Sequence, residues 1–259
     1  MSSRTRALGI CAALIIALLA TVAFAPLPFS VAFPGDTADV LGKHKGKQVI
    51  TISGAPTRET SGELRMAAIV ATGPDAPVRL PDIVRGWFRT DQAVMPVESV
   101  YPVGDTAEKA VEHNLKDMRS SQDVATRAAL NYLHKSDKDV QVKLDLGTIG
   151  GPSAGLLFSL GIIDKLAGDG AGGDLTGGKK IAGTGTITAD GEVGAVGGVA
   201  LKTQAAGRDG ATVFLVPKSE CRDAQAEKPE GLRLVPISTL SGTVDALKAL
   251  KSGGEVPSC

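Results

Sequence analysis

The sequence predicts an α/β (α+β) domain preceded by one N-terminal transmembrane helix, and three observations carry that reading. Beyond residue 139, strand-like runs alternate with helix-like ones. The 18 residues from Leu8 to Ala25 are uncharged and mostly Leu, Ile, Ala and Val, a length that fits one membrane crossing. The 32 glycines are concentrated between Gly147 and Gly210, which reads as tight turns between short elements rather than as disorder.

Composition excludes some functions. The 28 acidic residues balance the 28 basic ones, so no electrostatic footprint for nucleic acid is present. Aromatics make up 3% of the chain, too few for a base-stacking platform.

From the N-terminus, residues 1–6 read as a cytoplasmic tail and 7–33 as an anchor or signal segment. Arg4 and Arg6 precede the apolar run and Asp36 follows it, which places the N-terminus inside and the rest outside the cytoplasm. Ala23-Phe24-Ala25 resembles a signal-peptidase site, the competing reading. Pro26 follows directly and should hinder cleavage, so an uncleaved anchor is favoured. Residues 34–47 read as a linker, 48–250 as one folded domain and 251–259 as a C-terminal tail.

Within the domain, Gln48 to Ser53 and Leu64 to Thr72 read as two paired strands opening a sheet. Pro81 to Phe88 reads as a short helix with Trp87 as its core anchor. Asp105-Thr106-Ala107-Glu108 is a capped helix start. Ser120 and Ser121 mark a break before a second helix from Gln122 to Leu133. Val140 to Leu146 is a strand. Pro152 suits the first position of the helix that follows, which puts Ser153 in a first turn where unpaired N–H groups gather. Lys180 to Thr188 is the next strand and Asp190-Gly191 a hairpin turn. A helix from Val199 to Gly207, a strand Thr212 to Val216, an irregular segment to Gly231, a strand Leu232 to Val235 and a helix Leu240 to Leu250 complete the chain.

Gly173, Gly178 and Lys179 match most of a phosphate-binding loop. Lys180 stands where Ser or Thr should hold magnesium, and a strand follows where a helix is needed, so nucleotide binding is set aside. His113 and His134 read as surface residues of their helices rather than metal ligands, and none of His44, His113 and His134 lies in a glycine-framed turn where it could serve a serine as base. Of the three cysteines, Cys221 and Cys259 could pair in an oxidising compartment, with two free thiols as the alternative.

On local sequence Ser153 is either a capping serine in a Gly-Pro turn or a nucleophile at a helix start. A nucleophile needs a base. Lys202 is a candidate: it lies in the first turns of a helix opened by Gly197-Gly198, with Ala205 and Ala206 on its own face. A lysine base needs a dry site nearly free of acids, and Ile181 to Thr188 carries none. An ordinary exposed lysine, as Lys165, Lys179 and Lys218 are read, is the alternative.

Four motifs, Gly151-Pro-Ser-Ala-Gly155, Gly183-Thr-Gly-Thr-Ile-Thr-Ala-Asp-Gly191, Val196-Gly-Gly-Val-Ala-Leu-Lys202-Thr-Gln-Ala-Ala206 and Phe214-Leu-Val-Pro217, resemble the proteolytic domain of Lon proteases in order and spacing. The likeness covers roughly Leu64 to Leu250. It implies the Lon proteolytic-domain fold, a Ser153 nucleophile, a Lys202 base and Thr184 hydrogen-bonding near the dyad. It also implies an oxyanion hole from the backbone of Gly151 and Ser153, with neither metal nor cofactor. The chain looks most like membrane-anchored, ATP-independent Lon-like proteases of the bacterial envelope (YlbL-type), acting on peptides or unfolded proteins as a homo-oligomer, usually a hexamer. Two departures stand out. Gly150 replaces an acidic residue usual in Lon enzymes, and only Lys135 to Asp139 separates helix from strand, so no PDZ domain fits there. The alternative reading is a catalytically silent anchored domain of the same fold that binds envelope proteins.

Overall fold

A computed structural model describes residues 3–101, 107–147 and 151–259. Asp105 and Thr106 of the expected cap, and Gly150, lie outside them. In chain order the elements begin with α1 (Ser3–Phe24), β1 (Phe29–Asp39), β2 (Lys43–His44), β3 (Lys47–Gln48), β4 (Ile50–Ser53) and β5 (Glu63–Ala71). Next come α2 (Leu80–Trp87), β6 (Ala93–Pro96), α3 (Val97–Val100), α4 (Ala107–Tyr132) and β7 (Gln141–Leu144). A 3₁₀ turn (Pro152–Ala154) precedes α5 (Gly155–Leu166), followed by β8 (Lys180–Gly183), β9 (Thr186–Ile187) and β10 (Val193–Gly194). The chain ends through α6 (Val199–Arg208), β11 (Val213–Pro217), α7 (Cys221–Ala226), β12 (Arg233–Ile237) and α8 (Leu240–Ser252).

These elements form two compact units, Met1–Phe33 with Ala71–Lys109 and Pro34–Val70 with Ala110–Cys259. In the larger unit the sheet runs β12-β11-β8-β5-β1. β12, β11, β8 and β5 run parallel to one another in that order. β11 is buried along its whole length, as a central parallel strand must be, and its sequence is a continuous apolar run, Val-Phe-Leu-Val-Pro. Alternation sends its residues to two cores. Val213 and Leu215 join the large cluster built with α4, α5 and α8. Phe214 and Val216 join a second cluster with Val199 and Ala206 of α6 and Ala224 of α7. Each fully buried Leu, Ile or Phe contributes on the order of 2 kcal/mol, and α5 is buried over ten consecutive residues from Gly155 to Asp164.

In the smaller unit residues 29–32 of β1 pair antiparallel with β6. A small core of Val31, Val78 and Ile83 lies beside Leu27, Phe29, Phe33 and Val94. α1 is long and apolar enough to cross a membrane, and none of its residues is buried.

Several expectations need correction. The span 34–47 is not a linker: residues 34–39 continue β1, and Val40 and Leu41 are core residues. Gly35 serves packing there, since a Cβ on it would meet the Ala68 carbonyl oxygen at 2.8 Å. The apolar residues Phe29 to Phe33 are strand, not anchor. β4 pairs antiparallel with β7, not with β5. α4 is one continuous helix through Ser120 and Ser121. The irregular segment before Gly231 contains α7. The C-terminal tail is tied down, with Val256 buried and its carbonyl accepting from Arg233 at 2.7 Å. Trp87 is not a core anchor but 71% exposed; Ile83 and Gly86 form the buried side of α2 instead.

Candidate active site

Ser153 lies in the 3₁₀ turn that feeds α5, one step before the α-helix where the sequence placed it. Gly151 opens the turn at φ 103°, a conformation that only glycine adopts without strain. Two segments hold the turn from outside, α4 and the stretch between β8 and β9. The Ser121 hydroxyl, on α4, donates to the Pro152 carbonyl at 3.0 Å. The Gly185 N–H donates to the Ser153 carbonyl at 2.9 Å, and the Leu156 N–H returns a bond to the Gly185 carbonyl at 3.2 Å. The Thr184 hydroxyl also donates to the Ser153 carbonyl, at 3.2 Å. The break between β8 and β9, at Thr184-Gly185, is thus stitched to the serine turn.

Lys202 comes from the other side of the sheet. Gly198, left-handed at φ 67°, starts α6, and Lys202 follows one turn later. Ala205 and Ala206 are fully buried, which lets α6 lie close against its neighbours. The far end of α6 is fixed by Arg208, which donates to the Gly35 carbonyl at 2.7 Å, and by Asp209, which accepts from the Thr37 hydroxyl at 2.7 Å. Lys202 is left 4% exposed. Its Nζ donates to the hydroxyl of Thr184 at 3.3 Å. Thr184 is itself fully buried, and its N–H is satisfied by the Leu215 carbonyl at 3.1 Å. One threonine hydroxyl therefore accepts from the lysine and donates to the serine's carbonyl.

Burial lowers Lys202 to about 8, opposed by the negative charge of Glu220. Glu220 was not foreseen, and the surroundings are not as free of acid as the sequence suggested. Its carboxylate accepts from the Val196 N–H at 3.0 Å, and burial raises its own pKa. Glu220 follows β11 by three residues, so a search of the serine and lysine motifs alone does not reach it. Ser121 was missed for a similar reason: a polar residue within a helix reads as a break until its partner is known.

Of the two backbone groups expected to form an oxyanion hole, the Gly151 N–H donates to the Asn114 carbonyl of α4 at 3.1 Å. It is committed in this arrangement. A donor role for Gly151 requires that bond to open.

The remaining candidates fall elsewhere. Cys221, at the start of α7, and Cys259 are joined in a disulfide with Cα atoms 5.3 Å apart. Among the described residues no group of three or more His, Cys, Asp or Glu could hold a metal ion. His113 pairs with Asp117 at 3.3 Å. The glycine loop before β8 is closed by its own acids. Asp169 accepts from the N–H groups of Ala171 and Gly173 and pairs with Lys251, while Asp174 accepts from the Ser61 N–H at 2.9 Å. Lys165, taken as an ordinary exposed lysine, is half-buried and lowered by that burial.

The family model for the Lon protease (S16) C-terminal proteolytic domain matches residues 94–248. The Lon protease of Clostridioides difficile is 32% identical over 133 residues, covering 51% of this chain and 16% of that protein. The Lon protease of Mesomycoplasma hyopneumoniae is 29% identical over 148 residues, 51% of this chain and 16% of that protein. The archaeal Lon protease of Halobacterium salinarum is 24% identical over 195 residues, 74% of this chain and 26% of that protein. The chain spans between 16% and 26% of the length of these relatives.

Proposed function

The chain belongs to the family of Lon C-terminal proteolytic domains, and from that footing we propose that it is a serine endopeptidase using a Ser153–Lys202 dyad, anchored in a membrane by α1 and acting on the extracytoplasmic side. The observation that carries the dyad is the buried Lys202, held by Thr184, whose hydroxyl also reaches the Ser153 carbonyl. The anchor rests on the length and apolarity of α1, and its sidedness on Arg4 and Arg6 before the span.

Neutral Lys202 takes the proton of the Ser153 hydroxyl as that oxygen attacks the scissile carbonyl. Thr184 keeps Nζ on one heading by accepting its hydrogen bond. Backbone N–H groups at the serine turn hold the developing oxyanion, Gly151 among them once it leaves Asn114. Lys202, now an ammonium, passes the proton to the leaving amine. Water then cleaves the acyl-enzyme, with Lys202 again as base. The substrates are peptides and unfolded or flexible protein segments, and the working form is a homo-oligomer, a hexamer by analogy with Lon catalytic domains. Hydrolysis is independent of ATP, as the likeness to membrane-anchored, ATP-independent Lon-like proteases implies.

The test uses Ser153→Ala and Lys202→Ala separately, in a fluorogenic peptide assay with and without ATP. Each is expected to lower turnover by roughly a thousandfold or more. Full activity in both variants rules out the dyad, and stimulation by ATP rules out the ATP-independent reading. An acylating inhibitor is expected to label Ser153, read by mass spectrometry of the modified peptide. A catalytically silent binding domain is favoured by one observation, the Gly151 N–H held by Asn114. Saturable peptide binding with neither hydrolysis nor labelling would decide for it.

A further inference from the structure

Helix α2 turns its apolar side outward. Val84, Trp87 and Phe88 recur at i, i+3 and i+4, the spacing of one helical face. They are 40%, 71% and 86% exposed. The helix packs through Ile83 and Gly86 on the adjacent side, Ile83 lying one turn before Trp87. Trp87 is the chain's only tryptophan. Arg79, Arg85 and Arg89 border the stripe and are exposed, with Arg85 paired to Asp82 at 3.4 Å and Arg89 to Asp91 at 2.7 Å.

The stripe is also placed by the chain that leaves α1. That helix ends at Phe24, and the Leu27 N–H donates to the Val78 carbonyl at 2.8 Å. Val78 stands two residues before α2, and α1 and α2 are in contact. An eight-residue helix is about 12 Å long, and each polar interface of a bilayer is roughly 5–7 Å deep. Trp87 and Phe88 therefore lie within reach of the headgroup level at which α1 emerges. Tryptophan flanked by arginine is the composition found at such interfaces, where the ring meets the acyl boundary and the guanidinium stays in the headgroups.

We propose that Val84, Trp87 and Phe88 form a second membrane contact, inserting at the lipid interface of the outer leaflet beside α1. The proposal rests on the reading of α1 as a membrane anchor. A protein partner fits the stripe less well, because three side chains fall far short of the roughly 20 residues a side of a stable interface. The contact would fix the tilt of the smaller unit on the bilayer, which a single spanning helix leaves free to rotate. Three arginines against two aspartates between residues 79 and 91 leave little net charge. Aromatic burial, rather than anionic-lipid attraction, therefore carries the contact.

The experiment uses the full chain reconstituted into phosphatidylcholine–phosphatidylglycerol vesicles, with Trp87 as the sole fluorophore of its kind. Flotation of vesicles after alkaline washing reads the anchor. Quenching of Trp87 by phosphatidylcholine brominated high on its acyl chains reads the contact. The expected result is flotation together with a blue-shifted, lipid-quenched emission. In Phe88→Asp and Val84→Asp, which keep the fluorophore, flotation and peptide hydrolysis should persist while quenching is lost. Flotation without quenching overturns the proposal and leaves the anchor standing; a blue shift without quenching then marks a protein occupant such as a second copy. Failure to float removes the anchor and the proposal together.

Discussion

Burial and a nearby carboxylate pull Lys202 in opposite directions. Desolvation disfavours the ammonium and lowers the group to about 8, while Glu220 favours it. At pH 7 roughly a tenth of the molecules then hold a neutral lysine. Activity should rise with pH along a limb centred near 8. Glu220→Gln keeps an oxygen for the Val196 N–H but removes the charge, so that limb should move to lower pH. A pH profile of kcat/KM for both proteins checks this, and an unmoved limb would free Lys202 from Glu220. Stability follows the same group. Between about 8 and 10.5 the unfolded chain holds a proton on Lys202 that the folded chain has lost, so this lysine makes the fold more stable as pH rises through that window. Ser153 and Lys202 are candidates from sequence because each sits in a glycine-framed motif, though Ser153 stays ambiguous locally, and Thr184 enters only through the family resemblance. Glu220, Ser121 and Asn114 are not legible there, since each acts through a bond to a residue at least 24 positions away that no local pattern announces.

At the scale of the element, the serine turn is a seam between α4, α5 and the β8–β9 break, and Gly155 is where those pieces come closest. A Cβ there would meet Cγ2 of Ile187 at 2.9 Å and the Ser121 hydroxyl at 3.0 Å. Gly155 has ordinary helical angles, so alanine would add about 1 kcal/mol of helix propensity. Overpacking against a β-branched side chain costs about 1–3 kcal/mol, and Ile187 has little rotamer freedom to yield. Gly155→Ala is therefore expected to lower stability by about 1 kcal/mol in urea unfolding. It should also lower kcat more than it raises KM, because the displaced groups hold Ser153. An unchanged kcat would show that the seam tolerates movement. The strands and helices around it are legible wherever one period dominates, as in β11 and α5. Pairings are less so: β4 finds β7 nearly ninety residues away, and nothing in either strand's alternation distinguishes that partner from β5. Trp87 shows a related limit: the size and apolarity of a side chain do not say whether it faces the core.

At the scale of the whole molecule, two independent features support the proposal that the folded part of the chain lies on the extracytoplasmic side of a membrane. Arg4 and Arg6 precede the apolar span, the charge pattern expected of a cytoplasmic N-terminus if α1 crosses a membrane. The Cys221–Cys259 bridge requires an oxidising compartment to persist. The bridge encloses 37 residues, including β12 and α8, and the chain-entropy model gives it about 4 kcal/mol. That is a large part of the 5–15 kcal/mol by which a domain is stable. Its contribution is greatest for the last residues, which otherwise depend on the burial of Val256 and its bond to Arg233. Cys221 also follows Glu220 directly, so the bridge steadies the segment that bears on Lys202. Cys259→Ser is accordingly expected to unfold about 2–4 kcal/mol more easily than the oxidised wild type. The wild type in dithiothreitol should match the variant, and limited proteolysis should trim both from the C-terminus first. Equal stability of Cys259→Ser and the oxidised wild type would mean that the two thiols stay apart. The argument from redox compartment would then fall, leaving the charge pattern around α1 as the remaining support for the proposed topology.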